Sequence, residues 1–413
     1  MKLGTTTHGY EFESPDATHT ALFGKTGTGK STLLEHLILD AMEKGHGMTI
    51  LDPHGDLAER VLSFVPKHRR NDVIYLDPTD DRIVNINLFE KGTDPGKVAD
   101  HFSRMMKNLF KESWGPRTEW IAKQLVRALM SCKNPVGFPA FYKLLSEPNA
   151  KVTPYRTHIL ESVEDPVSRR FFRGMSSWTP RFYEECVTPL LNKVTEFVAN
   201  PYLAATLGAP RPSFSFREMM DTSKILVCNL SKGAMGDDAS SILGSIIVSK
   251  LALAALSRED SHDRPLHVLF ADEIQNFVHG VDLGTIFAQA RKYGLCLVPA
   301  TQTTEQIPQD VRSSLFGNIT TLVAFRVSGE DAELLAKQIG GGLQPSALQD
   351  VPNYRSYVCS VIDGIPTQFQ LIYTHEPLRG ERAAKEKTKR ESLARYGRPR
   401  KEVEKRIRKF LLR

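Results

Sequence analysis

Eight consecutive residues, Gly24-Lys-Thr-Gly-Thr-Gly-Lys30-Ser31, constrain this chain more than any others. They follow a β-like apolar run, Thr20-Ala-Leu-Phe23, and precede residues 31–44, where Leu33, Leu34, Leu37, Ile38 and Leu39 recur at helical spacing. The G-x-x-x-x-G-K-[ST] spacing is matched without departure, in the strand, loop, helix context it needs. Glycines let the backbone curl so that its N–H groups, with the N-terminus of the helix behind them, surround a phosphate unobstructed by side chains. In such a loop Lys30 neutralises β/γ-phosphate charge and the Ser31 hydroxyl ligates Mg²⁺. The candidate nucleotide contacts are therefore Gly24, Lys25, Thr26, Gly27, Thr28, Gly29, Lys30, Ser31 and Thr32, against the alternative of a purely structural turn.

The rest of the chain suits a sheet built around that loop. Strand-like runs at 48–51 and 73–76 end in Asp52-Pro-His-Gly-Asp56 and Asp77-Pro78, and further runs appear at 225–230, 266–271, 295–300 and 319–327. Helical patterns at 238–256, 283–293 and 330–339 alternate with them, which predicts an α/β fold with a mainly parallel sheet covered on both faces. Residues 94–212 break the alternation with long helical periodicities such as 120–129 and 190–197, and are expected to form an all-helical insertion. Near the end, 354–362 and 365–373 flank Asp363-Gly364, a two-residue hairpin signal. The expected divisions are 1–93 and 213–377 for the sheet domain, 94–212 for the insertion and 378–413 for a tail.

That tail holds 15 Lys/Arg and 5 Glu in residues 379–413, a net +10, so the formal +6 of the 413-residue chain leaves −4 for the remaining 378. Such a segment reads either as a solvated charged helix or as a surface for an anionic partner. Val403, Ile407, Phe410 and Leu411 at helical spacing imply that part of it docks. The hydrophobic 41% and charged 25% are those of an ordinary globular protein and exclude disorder as the main state. Five separated cysteines with no C-x-x-C pair indicate buried thiols. No apolar run is expected to cross a bilayer, since the best stretch, 242–256, contains Ser245, Ser249 and Lys250. With no apolar signal core at the start, the expected location is cytoplasmic, with association to the inner face of a membrane only through partners.

Five further residues carry chemistry. Residues 267–271 form an apolar strand that ends in Asp272-Glu273, suiting Asp272 to hold Mg²⁺ through water and Glu273 to polarise an attacking water. A glutamate there favours hydrolysis over transfer to a substrate hydroxyl. Gln302 lies just past the next strand, at the edge where open α/β sheets bind ligands, and is placed to sense a γ-phosphate. Arg291 and Arg326 are the two candidates for a guanidinium reaching a neighbouring subunit's phosphate.

Together with Asp52-Pro-His-Gly-Asp56, Trp114-Gly-Pro-Arg117, Asn229-Leu-Ser-Lys232, Ala271-Asp-Glu-Ile-Gln-Asn276, Ala290-Arg-Lys-Tyr-Gly294 and Ala300-Thr-Gln302, the phosphate loop gives the chain an order of motifs that resembles the VirD4/TraG-like ATPases. These are the coupling proteins of conjugation and type IV secretion, in the FtsK–HerA group of P-loop motors. The resemblance runs from about Thr18 to Tyr373. It implies a RecA-like ATPase domain with an all-helical insertion, assembly as a hexameric ring, ATP and Mg²⁺ as cofactors, and DNA drawn through a central channel. Relaxase or secretion-channel proteins become candidate partners. The resemblance also makes Lys30, Glu273, Gln302 and Arg291 the catalytic set, favours Arg291 over Arg326, and assigns Ser31 and Asp272 to the metal. One departure is plain: the membrane-bound coupling proteins begin with transmembrane helices, whereas about twenty residues precede the phosphate loop here. The competing expectations are a VirB4-like secretion ATPase acting on protein or pilus subunits, and a scaffold that nucleotide orders without driving.

Overall fold

The computed structural model describes residues 1–90, 94–110, 113–146, 154–278 and 283–412. Its strands are β1 (Lys2–Thr6), β2 (Glu11–Glu13), β3 (Thr20–Phe23), β4 (Gly47–Asp52), β5 (Val73–Leu76), β6 (Arg82–Val84), β7 (Ile225–Asn229), β8 (His267–Ala271), β9 (Leu295–Thr301), β10 (Thr321–Ala324), β11 (Arg355–Ile362), β12 (Ile365–Pro366), β13 (Gln370–Tyr373) and β14 (Gly397–Pro399). One sheet runs in the order β2-β1-β13-β11-β10-β3-β9-β8-β4-β7-β5. From β10 to β5 every pairing is parallel, and from β10 outward through β11, β13, β1 and β2 every pairing is antiparallel. The α/β fold with a mainly parallel sheet is as the sequence predicts. Strands covered on both faces need apolar residues at every position, and β3, β5, β8 and β9 are buried along their whole length.

The phosphate loop leaves β3, and the helix Lys30–Glu43 begins directly behind it. The hairpin expected around Asp363-Gly364 is the β11/β12 turn, after which β13 continues the pairing with β11. Strands β1 and β2 extend the antiparallel side through β13, an addition absent from the sequence reading.

Where described, residues 94–212 contain helices and a single isolated β-bridge, Cys132 to Val163. Proline opens the helices Pro95–Leu109, Pro116–Ser131, Pro166–Met175, Pro180–Ala199 and Pro201–Leu207, where its missing N–H costs nothing. Asp94, Asp165, Thr179 and Asn200 cap four of them through side-chain acceptors.

Two expectations need correction. The apolar helix spanning 242–256 is longer than expected: Asp237–Asp260 is long and apolar enough to cross a membrane, with mean hydropathy 1.8. It is the one such helix among the described residues, and 89% of its apolar window is buried inside the fold. Apolar residues surround it on all sides because it packs in the core.

The second correction concerns the basic tail, which is neither free nor merely solvated. The helix Arg382–Tyr396 lies along the helix Asp56–Phe64 and the edge strand β5, and Ser392 Oγ accepts the N–H of Tyr75 at 2.7 Å. Strand β14 pairs with β6, and the helix Arg400–Leu411 crosses onto the helical stretch, packing on Pro201–Leu207 and Phe138–Ser146. Val403 is buried there, and Lys143 Nζ donates to the carbonyl of Phe410 at 3.1 Å. Docking of the Val403, Ile407, Phe410 face is as its spacing implied; the partner is this chain itself.

Candidate nucleotide-binding and catalytic site

The parallel strands deliver their functional residues to one edge of the sheet. A cleft of about 340 Å³ opens there, lined by the phosphate loop, Asp52, His54, Asp272, Glu273, Gln302 and Tyr354 among others. Backbone geometry forms its floor. Gly29 has φ +110°, and a Cβ there would lie 3.0 Å from the Tyr354 ring. Gly24 stands so close to Phe325 that a Cβ would sit 2.6 Å from the phenylalanine's own. Thr28 is fully buried, with its hydroxyl donating to Lys25 O at 2.7 Å, which ties the two ends of the turn together. Lys25, Thr26 and Gly27 remain exposed at the rim, as does Ser31 on the first turn of the helix.

Lys30 and Glu273 meet at 2.8 Å, with side chains 5% and 6% exposed. Glu273 reaches this position through a left-handed backbone (φ +48°), unusual for a residue with a Cβ and held by the surrounding contacts. Gln302 Nε2 donates to Glu273 Oε1 at 2.9 Å, and Gln275 Nε2 donates to Oε2 at 2.6 Å. Burial pushes the Glu273 carboxyl up, but the Lys30 charge and the donors from Lys30, Gln275 and Gln302 outweigh it and hold the group below the ordinary glutamate value. Three residues far apart in sequence, Lys30, Glu273 and Gln302, are thus brought together.

Asp272 sits beside them, buried, with Oδ1 lacking any hydrogen-bond partner. Burial is the largest influence on it, opposed by Lys30 and reinforced by Glu273 and Asp52, and it pushes the carboxyl up to about 6. An orphaned buried carboxylate oxygen next to a phosphate loop and an exposed serine hydroxyl suits a divalent cation, which supplies the missing partner. The residues present therefore fit Mg²⁺ held with a triphosphate. Metal coordination requires the ionised carboxylate, so Mg²⁺-dependent nucleotide affinity is expected to drop as pH falls through about 6, by about tenfold per unit below it. Titrating an Mg²⁺-nucleotide into the parent and Asp272→Asn from pH 5 to 7.5 checks this. The parent should show a steeper pH dependence than the variant, and equal slopes would remove Asp272 from the metal site.

Arg291 is not part of this cluster. Leu295 is level with His267 at the start of β8, so Arg291 lies at the opposite edge of the sheet, roughly 15 Å down the strands, and is exposed. Arg326 lies at the cleft's edge. Its carbonyl accepts the Lys25 N–H at 2.9 Å, while its guanidinium donates to Asn353 Oδ1 at 2.8 Å.

The acidic loop after β4 has a structural part and an exposed part. Asp52 is fully buried and accepts the N–H groups of His54 and Ala58, at 2.8 and 2.9 Å, which caps the helix Asp56–Phe64. Asp56 faces the cleft. Lys232 pairs with Asp237 at 3.1 Å. Sequence reasoning missed Gln275 and Tyr354. The first stood within the Ala271–Asn276 motif without a role of its own; the second has φ +62°, and its N–H donates to Thr28 O at 2.8 Å.

A family model described as the type IV secretion-system coupling protein DNA-binding domain matches residues 12–344. The chain belongs to this family of coupling proteins. No curated protein matches its sequence. Among solved structures, the bacterial conjugative coupling protein TrwB lacking its first 70 residues, unbound, superposes with a TM-score of 0.62 at 17% identity, over 92% of this chain and 90% of that one. TrwB with the ATP analogue ADPNP gives 0.62 at 18%, over 89% and 87%. VirB4 of Thermoanaerobacter pseudethanolicus gives 0.60 at 14%, over 91% and 96%. At these identities the likeness is one of fold, and the coupling protein's chemistry rests on its own side chains.

Proposed function

We propose that this coupling protein is an ATP-hydrolysing, ring-forming motor that moves DNA in conjugative or type IV secretion-type transfer. The observation that carries the reading is the convergence of Lys30, Glu273 and Gln302 at 2.8 to 2.9 Å beside the phosphate loop. With a nucleotide bound, the loop N–H groups and Lys30 hold its phosphates, and Ser31 and Asp272 hold Mg²⁺, which supplies charge neutralisation at the transferred phosphoryl group. TrwB has been crystallised with ADPNP and with ADP and Mg²⁺, which supports the same cofactors here. Glu273 is the base that orients and deprotonates water, and Gln302, bonded to the same carboxylate, senses whether a γ-phosphate is present. Exposed Arg291, remote from its own chain's cleft, is offered to a neighbour's site in a ring, probed by Arg291→Ala.

The family description supports DNA as the substrate, and phosphate-tracking contacts make the interaction dependent on salt and little dependent on sequence. Hydrolysis is therefore expected to rise several-fold with DNA and to lose that stimulation between about 50 and 200 mM salt. Turnover unaffected by single- or double-stranded DNA throughout a salt series would overturn the translocase reading; stimulation by a partner protein instead would point to a secretion ATPase.

A further inference from the structure

The acidic strand end does not stop at Glu273. Gln275 uses both N–H groups of its amide, one to Glu273 Oε2 at 2.6 Å and one to Gln306 Oε1 at 2.9 Å, while its Oε1 accepts from Thr301 Oγ1 at 2.9 Å. The orientation of the amide is fixed by chemistry, because a flipped group would set its oxygen against a carboxylate. Each oxygen of Glu273 therefore has its own amide donor, Gln302 on Oε1 and Gln275 on Oε2. Lys30 shares Oε1 and is the partner that must move when it serves phosphate.

Beyond Gln306 the network enters loop 303–308. Its inner end is pinned: Thr304 donates its N–H and hydroxyl to Asp331 Oδ1 at 2.9 and 2.5 Å, and Asp331 Oδ2 accepts from Ser328 at 3.0 Å. Asp331 is buried in the first turn of the helix Gly329–Ile339. The outer end, Glu305 and Gln306, is exposed.

We infer that Gln275 is a positioning residue, holding Glu273 Oε2 in place once Lys30 departs and coupling that carboxylate to the exposed loop 303–308, by a route from site to surface separate from Gln302. The catalytic part of the inference rests on the hydrolysis reading above; the coupling part needs nucleotide binding alone. Without Gln275 the Oε2 oxygen loses its amide donor and the carboxylate is free to rotate, so it is worse placed for the water it must orient.

The test uses the full chain with Gln275→Leu, and with Gln275→Glu, which keeps the shape but presents a carboxylate where the donor was. Steady-state hydrolysis at pH 7 over a range of ATP concentrations, and hydrogen exchange of peptides covering 303–308 with and without ADPNP, are measured on each. Both variants should show kcat about tenfold lower at pH 7 with KM within about twofold of the parent. ADPNP should change exchange in the loop of the parent and leave it unaltered in the variants. A parental kcat, or a raised KM with kcat intact, would sink the positioning role. Exchange that responds equally in parent and variants would sink the coupling. A parent that binds ADPNP and shows the Gln275-dependent exchange change but hydrolyses nothing would remove the hydrolysis reading while leaving the coupling in place.

Discussion

Replacing Glu273 by glutamine is expected to slow ATP hydrolysis about a thousandfold while ATP binds more tightly than to the parent. The loss follows from removing the base: a neutral amide still orients a water but cannot take its proton. The gain in affinity comes from the resting geometry. Lys30 is held by Glu273 at 2.8 Å with both side chains largely buried, so a phosphate must displace a carboxylate that already occupies the ammonium. An amide oxygen competes less well than a charged one. If the exchange relieves about 1.4 kcal/mol of competition, the dissociation constant tightens about tenfold. Lys30→Ala behaves differently, losing turnover and affinity together and leaving Glu273 with only its glutamine donors in a buried site.

A fluorescent nucleotide titration beside a phosphate-release assay separates these outcomes. Turnover within tenfold of the parent would remove Glu273 from the chemistry, and weaker binding by Glu273→Gln would show that its ion pair with Lys30 does not compete with phosphate. The same variant addresses the scaffold alternative. A ring that needs only to be ordered by ATP keeps its transfer function when hydrolysis is blocked, whereas a motor stops.

The sequence made part of this site legible because the chemistry is local. A phosphate loop needs its glycines, lysine and hydroxyl in eight adjacent positions, and a strand that ends in paired acids at a parallel-sheet edge is visible as an apolar run with a charged stop. The order of those strands was less accessible, since β3 pairs with β9 and β10 across hundreds of residues. Gln275 stood inside the Ala271–Asn276 motif with no role assigned to it. Its importance arises because Thr301 and Gln306, on a different strand and loop, reach the same amide. The arginines divide along the same line: chain position made Arg291 and Arg326 similar candidates, and only the sheet shows that they lie at opposite edges. The tail misled for a related reason. Its charge count is a property of the segment, but its fate is decided by what it covers, and the bare edge of β5 is not marked in the tail's own residues.

Removing residues 379–413 should therefore damage the fold before it touches any partner. The helix Arg382–Tyr396 shields β5, the last strand of the sheet, and an uncovered edge presents unpaired N–H and C=O groups to other chains. Leu393 and Val403 are each 6% exposed, and burying two such side chains contributes roughly 3 to 6 kcal/mol. Polar ties add to this. Lys389 pairs with Asp80 at 3.0 Å with its ammonium 5.0 Å from the centre of the Tyr75 ring, and Arg82 donates to the carbonyls of Leu393 and Gly397 at 3.0 and 2.6 Å. The truncated chain is expected to aggregate, or to melt at least about 5 °C below the parent, with hydrolysis lost in proportion to unfolding. Leu393→Ala isolates the packing contribution and should cost about 2 to 5 kcal/mol without changing net charge. By contrast, charge reversal at exposed Lys401, Lys405 and Lys409 should leave the melting temperature within a degree or two, because those side chains point away from the docked face. A truncated protein that stays soluble, melts with the parent and hydrolyses ATP normally would return the tail to the role its composition first suggested, a cationic arm held out for an anionic partner.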